Sequence, residues 1–326
     1  MWYPRIRVVS RDEQKMAVLA RRHAAHVESR LELRIADVRI VSDVQGAIDG
    51  TDAVVLMAAM KHVDICEQQP AQAIRTNVLG AMNLALGAQM ARGRLKKVVT
   101  ISTDKAVDPI NVYGMSKAIA ERVLMSAELP LGMVTVVRYG NVLYSNGSVL
   151  RVAEERVARG EPMLVTSPDM TRFLFTLEQA IDLIEIALSY EGTAVLVPQI
   201  RSCTVGELLR YALPEGYPMS VVGPRPGEKM HEALVSVDEV SAGVIRAVDR
   251  RPTPRNMTVL EVVHEADTRP RARWSGSQNF WPLRAAALPA QPPRLRSDEE
   301  RVGQDELAGY LASLGVQRLD RGRTAG

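Results

Sequence analysis

A doubly wound α/β sheet followed by a smaller lobe is the fold that this 326-residue sequence predicts. Two observations carry the expectation. Over the first two-thirds of the chain, short apolar runs alternate with longer stretches of helical periodicity, the pattern of parallel strands joined by crossover helices. The run Ala53-Val54-Val55-Leu56-Met57 contains no polar residue, as a strand covered on both faces requires.

In order, Ile6-Arg7-Val8-Val9 reads as the first strand, followed by a helix to about residue 28. Leu33-Arg34-Ile35-Ala36 reads as the second strand and the Ala53 run as the third. A helical pattern covers 66–91. Val98-Val99-Thr100-Ile101-Ser102 is a strand, 112–126 a helix and Met133-Val134-Thr135-Val136-Val137 a further strand. After Asn141 the pattern loosens. It leaves a helix over 177–190, a short strand Ala194-Val195-Leu196-Val197 closed by Pro198, and a helix over 205–212. The sheet domain is expected over 1–145 and the smaller lobe over 146–250, with some chain crossing back. An irregular Arg/Pro-rich tail follows over 251–326, partly disordered by composition and ending in a helix over 305–314.

The 41 Lys and Arg against 38 Asp and Glu give a net charge of +3, too balanced for a nucleic-acid binder. Aromatics at 4% offer no stacking platform. The basic tail is interrupted by acids, so no nucleic-acid partner is expected. Cys66 and Cys203 stand alone, and the five histidines form no ligand cluster. No metal site or disulfide framework is expected. No apolar run reaches the ~18 residues of a membrane span, and the start MWYPRIRVVSRDEQK lacks the apolar stretch of a signal peptide. A cytoplasmic chain with no membrane partner is the expectation.

Chemistry concentrates in Ser102-Thr103-Asp104-Lys105 and Tyr113-Gly114-Met115-Ser116-Lys117. The first run ends a strand, and ligands bind at the carboxyl ends of strands in open α/β sheets. Tyr113 and Lys117 are one helical turn apart on a shared face. An ammonium beside a phenol favours the phenolate, which makes Tyr113 a candidate base.

These segments resemble the active site of inverting UDP-N-acetylglucosamine 4,6-dehydratases, of the extended short-chain dehydrogenase family and polysaccharide biosynthesis type. Further segments agree in order: Ser10-Arg11-Asp12-Glu13, Asp37-Val38-Arg39, Ala58-Ala59-Met60-Lys61-His62-Val63, Thr76-Asn77-Val78, Arg138-Tyr139-Gly140-Asn141-Val142, Met170-Thr171-Arg172-Phe173 and Arg225-Pro226-Gly227-Glu228-Lys229. The resemblance implies a Rossmann-like sheet with a substrate-binding lobe, NADP as cofactor, a UDP-sugar as substrate and a homo-oligomer. It implies that Ser10, Arg11, Asp37, Val38, Ala58, Ala59, Lys61, Asn77, Tyr113 and Lys117 meet the cofactor. Lys61, Asn141, Arg172, Arg225 and Glu228 would meet the substrate, the arginines suiting a diphosphate. Tyr113 would take the proton of the sugar 4-hydroxyl, Lys105 that of C5, and Asp104 would protonate the departing 6-hydroxyl, with Thr103 bonding the sugar. For Lys105 to act so, burial and Lys117 should lower its pKa. Retaining relatives carry glutamate at this position, so Lys105 implies inversion at C5.

The chain departs from the family in one large respect. The family's first strand and its GxxGxxG loop are missing: nine residues precede Ser10, and no glycine occurs before Gly46. Such glycines let backbone N–H groups approach a pyrophosphate. The missing strand is expected between the Ile6 and Ala53 strands, leaving a gap or unpaired edges. Either the natural chain begins further upstream, or this is a degenerate paralogue acting as a sugar-nucleotide-binding or partner subunit. Leu56, Met57, Asp64 and Asn146 also depart from the family pattern. A nucleotide-sugar 4-epimerase is the remaining enzymatic alternative, and it has no use for Lys105.

Overall fold

The computed structural model describes residues 3–27, 29–91, 93–241, 245–247, 257–263 and 295–320. The chain forms two compact units. The first comprises Met1–Ser102, Asn111–Val137 and Ile184–Ala194, and the second Thr103–Ile110, Arg138–Leu183 and Val195–Gly326.

In the first unit, β1 (Ile6–Ser10) leads into α1 (Glu13–Arg22), whose first turn is capped by Asp12 accepting the Lys15 N–H. The helix stops at Arg22 rather than near residue 28; His23 caps it and a short 3-10 turn follows. Next come β2 (Leu31–Ile35), α2 (Val41–Ile48) and β3 (Ala53–Leu56). The helical pattern over 66–91 folds as four pieces: α3 (Val63–Gln68), α4 (Pro70–Ala73), a π-helical stretch (Ile74–Leu79) and α5 (Gly80–Met90). Pro70 has no N–H to continue the ladder, so it starts a new helix instead. Then follow β4 (Lys97–Thr103), α6 (Val112–Met125) and β5 (Val134–Tyr139). The core is built from Val44, Ile48, Leu84, Val98, Leu124 and Val134. At Gly87 a Cβ would sit 2.8 Å from Ile48, so this glycine lets α2 and α5 approach.

The parallel α/β pattern is present, and it is interrupted where the missing strand was expected. β1 and β2 pair in parallel as a separate ladder, from Ile6 opposite Leu31 to Ser10 opposite Ile35. β3 pairs in parallel with β4 and is the edge of its own sheet. Ile6 and Val9 are 55% and 39% exposed, whereas Val98 and Val99 of β4 are at 0%.

The second unit holds β6 (Asn141–Val142), α7 (Val149–Arg159), β7 (Met163–Val165), β8 (Thr171–Phe175) and most of α8 (Leu177–Ser189). It continues with β9 (Ala194–Pro198), β10 (Ser202–Thr204), α9 (Val205–Ala212), β11 (Met219–Val221) and α10 (Val237–Ser241), then β12 (Ile245–Ala247), β13 (Val259–Val262) and α11 (Gln304–Ser313). Its sheets run β10-β8-β6, β11-β7 and β12-β13-β9. A reciprocal capping box between Thr204 and Glu207 starts α9. Two segments of the tail expected to be irregular are ordered. β13 lies antiparallel to β9, and Leu234 N–H donates to the Leu295 carbonyl. Their partners lie far away in sequence, so local periodicity does not reveal them. Residues 251–256 and 264–294 lie outside the described residues.

Candidate active site

β4 ends at Thr103, and Asp104–Ala106 forms a 3-10 turn capped by the Thr103 hydroxyl, which accepts the Lys105 N–H. The turn aims two adjacent side chains into the second unit. Asp104 is completely buried: its Oδ1 accepts from the Thr103 hydroxyl at 3.0 Å and from Lys105 Nζ at 3.1 Å, while Oδ2 has no hydrogen-bond partner. A Cβ at Gly140 would stand 3.2 Å from that free oxygen and 2.7 Å from Phe173, so only glycine fits there. Lys105 Nζ also donates to Asn141 Oδ1 at 3.2 Å and pairs with Glu232 Oε1 at 3.2 Å.

Burial works against the Lys105 charge, but Asp104 and Glu232 outweigh it, and the amine is held above its usual range despite Arg172 nearby. The expected lowering is therefore absent, and Lys117 is not among the groups acting on it. Glu232 moves in the same direction. Burial, with Asp104, raises its pKa, opposed by Lys105, Arg172 and Lys229. Lys229 is lowered by burial, against the pull of Glu232 and Asp104.

Arg172 on β8 is buried, and its guanidinium donates to the carbonyls of Thr171 (2.8 Å), Lys229 (3.0 Å) and Met230 (3.2 Å), with Glu228 at 3.7 Å. Arg225 donates its backbone N–H to Glu228. The second unit thus gathers Thr103, Asp104, Lys105, Asn141 and Arg172 in one polar cluster. It adds Lys229, which stood in the run Arg225–Lys229 without an assigned role, and Glu232, which sequence reasoning missed. Their only signal was an opposite-charge pair spaced by three in the run 225–234.

The remaining predicted residues lie in the first unit. Asn111 accepts the Gly114 N–H at 2.7 Å and so starts α6, which puts Tyr113 in its first turn and Lys117 one turn on. Lys117 is buried, and that burial lowers its pKa to about 8, partly offset by Glu121. The Ser102 hydroxyl donates to Glu121. Asn77 works as a pin. Its Oδ1 accepts the Met60 N–H (2.8 Å), and its Nδ2 donates to the Met60 carbonyl (3.1 Å) and to Ser116 Oγ (2.8 Å). The loop carrying Ala58, Ala59 and Lys61 is thereby fixed to α6.

At the β1–α1 turn, Ser10 Oγ accepts the Asp12 N–H. Arg11 is half exposed, 3.8 Å from Asp37. Arg39 grips Asp37 with several hydrogen bonds, which hold its carboxyl below the usual range. Val38 packs on Gly80 and accepts from Asn83 through its carbonyl. The turn 10–12 has no glycine, and the α1 N-terminus is capped by the Asp12 carboxylate, so this turn offers no bare N–H groups to a phosphate.

A model of the polysaccharide biosynthesis protein family matches residues 3–247. The chain belongs to this family. A UDP-glucose 4-epimerase of Rickettsia typhi is 36% identical to this polysaccharide biosynthesis family member over 244 residues, covering 72% of this chain and 70% of the relative. The structure of Pen from Bacillus thuringiensis superposes with a TM-score of 0.77 at 28% identity, covering 96% of this chain and 90% of that one. A dTDP-glucose 4,6-dehydratase from Streptomyces venezuelae, solved with NAD bound, shares the fold at a TM-score of 0.59 and 20% identity over 71% of this chain and 78% of its own. Among the described residues, no helix is long and apolar enough to cross a membrane.

Proposed function

We propose that this family member dehydrates a UDP-N-acetylhexosamine to a 4-keto-6-deoxy sugar with inversion at C5, with NADP as cofactor, for surface-glycan or glycosylated-metabolite biosynthesis. The observation that carries the reading is the contact of the buried Asp104 with the partly buried Lys105 at the end of β4. Loss of water next to a ketone needs one group to take the carbon-bound proton and another to protonate the leaving hydroxyl. An adjacent amine and carboxyl group supply both. A nicotinamide dinucleotide, when bound, supplies the reversible hydride acceptance that makes the ketone at C4.

Tyr113 takes the proton of the 4-hydroxyl, helped by Lys117, which at a pKa of about 8 keeps most of its charge at neutral pH. The C4 ketone acidifies the C5 proton. Lys105 accepts that proton once its own ammonium has lost one, and Asp104 gives a proton to the 6-hydroxyl as it departs. Arg172, Arg225, Asn141, Lys61 and Glu228 are assigned to the sugar nucleotide. Ser10, Arg11, Asp37, Val38, Ala58, Ala59 and Asn77 are assigned to the dinucleotide.

The test is incubation with UDP-N-acetylglucosamine and NADP in D2O, followed by proton NMR. A 4-keto-6-deoxy product carrying deuterium at C5 is expected. Interconversion of C4 epimers without loss of water defeats this reading in favour of a 4-epimerase, which the Rickettsia relative supports. No conversion, with no NADP released on denaturation, defeats it in favour of a non-catalytic sugar-nucleotide-binding subunit.

A further inference from the structure

We propose that Glu232 is the positioning residue that takes up the ammonium proton of Lys105 and so frees the amine lone pair. The use of that lone pair rests on the dehydratase reading; the proton itself rests on the cluster's geometry.

Lys105 Nζ sits between two carboxyl groups, Asp104 Oδ1 at 3.1 Å and Glu232 Oε1 at 3.2 Å. The two differ in their other partners. The contacting oxygen of Asp104 also accepts from the Thr103 hydroxyl. The other oxygen has no hydrogen-bond partner in either carboxyl, and that of Glu232 has Lys229 Nζ at 3.9 Å. Glu232 is 2% exposed, so water does not replace the missing donors. An anion with few donors in a dry site is the better home for a proton. The groups facing Glu232 are Lys105 and Asp104 from the turn after β4, Arg172 from β8, and Lys229 from its own segment. Burial outweighs the three cations, and the carboxyl is held above its usual range. Its backbone does not drift: Glu232 N–H donates to Ser297 Oγ, and Ser297 N–H donates to the Glu232 carbonyl, both at 2.8 Å.

In the step, an N–H bond of Lys105 breaks and an O–H bond forms on Glu232 Oε1. The ammonium–carboxylate pair becomes an amine and a carboxylic acid, with no change of oxidation state. The amine then takes the C5 proton, and Asp104, which enters the step as a carboxylic acid, gives its proton to the leaving hydroxyl, which departs as water. The cluster is left with an ammonium, a Glu232 acid and an Asp104 carboxylate. One proton passed from Glu232 to Asp104 through Lys105 restores the start.

Glu232→Gln separates this role from a purely electrostatic one, because the two predict opposite signs. Removing a neighbouring anion weakens the hold of Lys105 on its proton, so an electrostatic role predicts C5 solvent exchange as fast as wild type or faster. The proton-acceptor role predicts exchange slowed about 100-fold at neutral pH, recovering as pH rises, with Glu232→Asp regaining more than a tenth of the wild-type rate. Equal or faster exchange in a folded Glu232→Gln variant overturns the proposal. A second measurement needs no substrate: carbon-13 NMR titration of the Glu232 carboxyl and the Lys105 Cε in the full chain. The Glu232 carboxyl should titrate above the ordinary glutamate range, with the Lys105 signal moving at the same pH. An ordinary Glu232 titration with a silent Lys105 overturns the proposal. If the wild-type chain exchanges no C5 proton at all, the dehydratase reading fails, and the titration decides the proton pair alone.

Discussion

In the second unit β8 and β13 are buried at every position, while in the first unit no residue of β1 or β3 is buried. The chemistry divides in the same way. The second unit encloses most of its acid–amine cluster: Asp104 is completely buried, and Arg172 is bound to three carbonyls, while Lys105 stays partly exposed. The first unit keeps the helix that carries Tyr113 and Lys117, together with its Asn77 pin, but pairs β1 and β2 apart from the sheet that ends at β3. Parallel strands depend on neighbours on both edges and helices on both faces. Among the described residues β1 pairs only with β2, and β3 is the edge of its sheet, so both stay partly exposed while β4 is packed.

The sharpest way to break this contrast is Lys105→Ala. If the second unit carries the elimination, release of water should fall about 10²- to 10⁴-fold, while absorbance still reports hydride transfer at C4. An unchanged rate of water release would move the chemistry out of that unit.

The first unit has its own electrostatic signature. Lys117 has a folded value of about 8 against an unfolded 10.5. Below about pH 8 both states hold the proton, and the burial cost is fully present. Between 8 and 10.5 only the unfolded state still holds it, so stability rises with pH. Urea unfolding of wild type should gain on the order of 3 kcal/mol relative to Lys117→Met across that window. Parallel curves would mean that Lys117 is not desolvated.

Paired valines measure the sheet interruption directly. Val99→Ala in β4 should destabilise by about 2 kcal/mol, and Val9→Ala in β1 by less than about 0.5 kcal/mol. Equal losses would show that β1 is covered after all. The smallest effect concerns the thiols, one in each unit. Burial raises Cys66 to about 11 and Cys203 to about 12, so neither should label with a thiol reagent at neutral pH while the chain is folded. Fast labelling of Cys66 alone would mark the first unit as the looser one.

Much of the fold was legible in the residues. Apolar and β-branched residues marked β3, β4, β5 and β9 as strands, although no residue of β3 is buried, so an apolar run marks a strand without fixing its depth. The ends of helices were less legible. The stop of α1 at Arg22 depends on the conformation of His23, and the division of 66–91 turns on a single proline. β13 was missed because a short strand inside an Arg/Pro-rich stretch is stabilised by β9, not by its own periodicity. In the site, Asp104, Lys105, Tyr113 and Lys117 were readable from spacing and neighbours. Glu232 was not, since nothing in a linear sequence says that two segments about 130 residues apart share one ammonium.

Residue order alone settles which strands are apolar, which helix carries tyrosine and lysine on one face, and that no glycine turn lies beside β1, because each depends on neighbours along the chain. The folded molecule decides the protonation chemistry. Whether Lys105 holds or releases its proton depends on how deeply it is buried and on which carboxyl groups reach it. Asp104 is its sequence neighbour, but Glu232 reaches it only through the packing of the second unit.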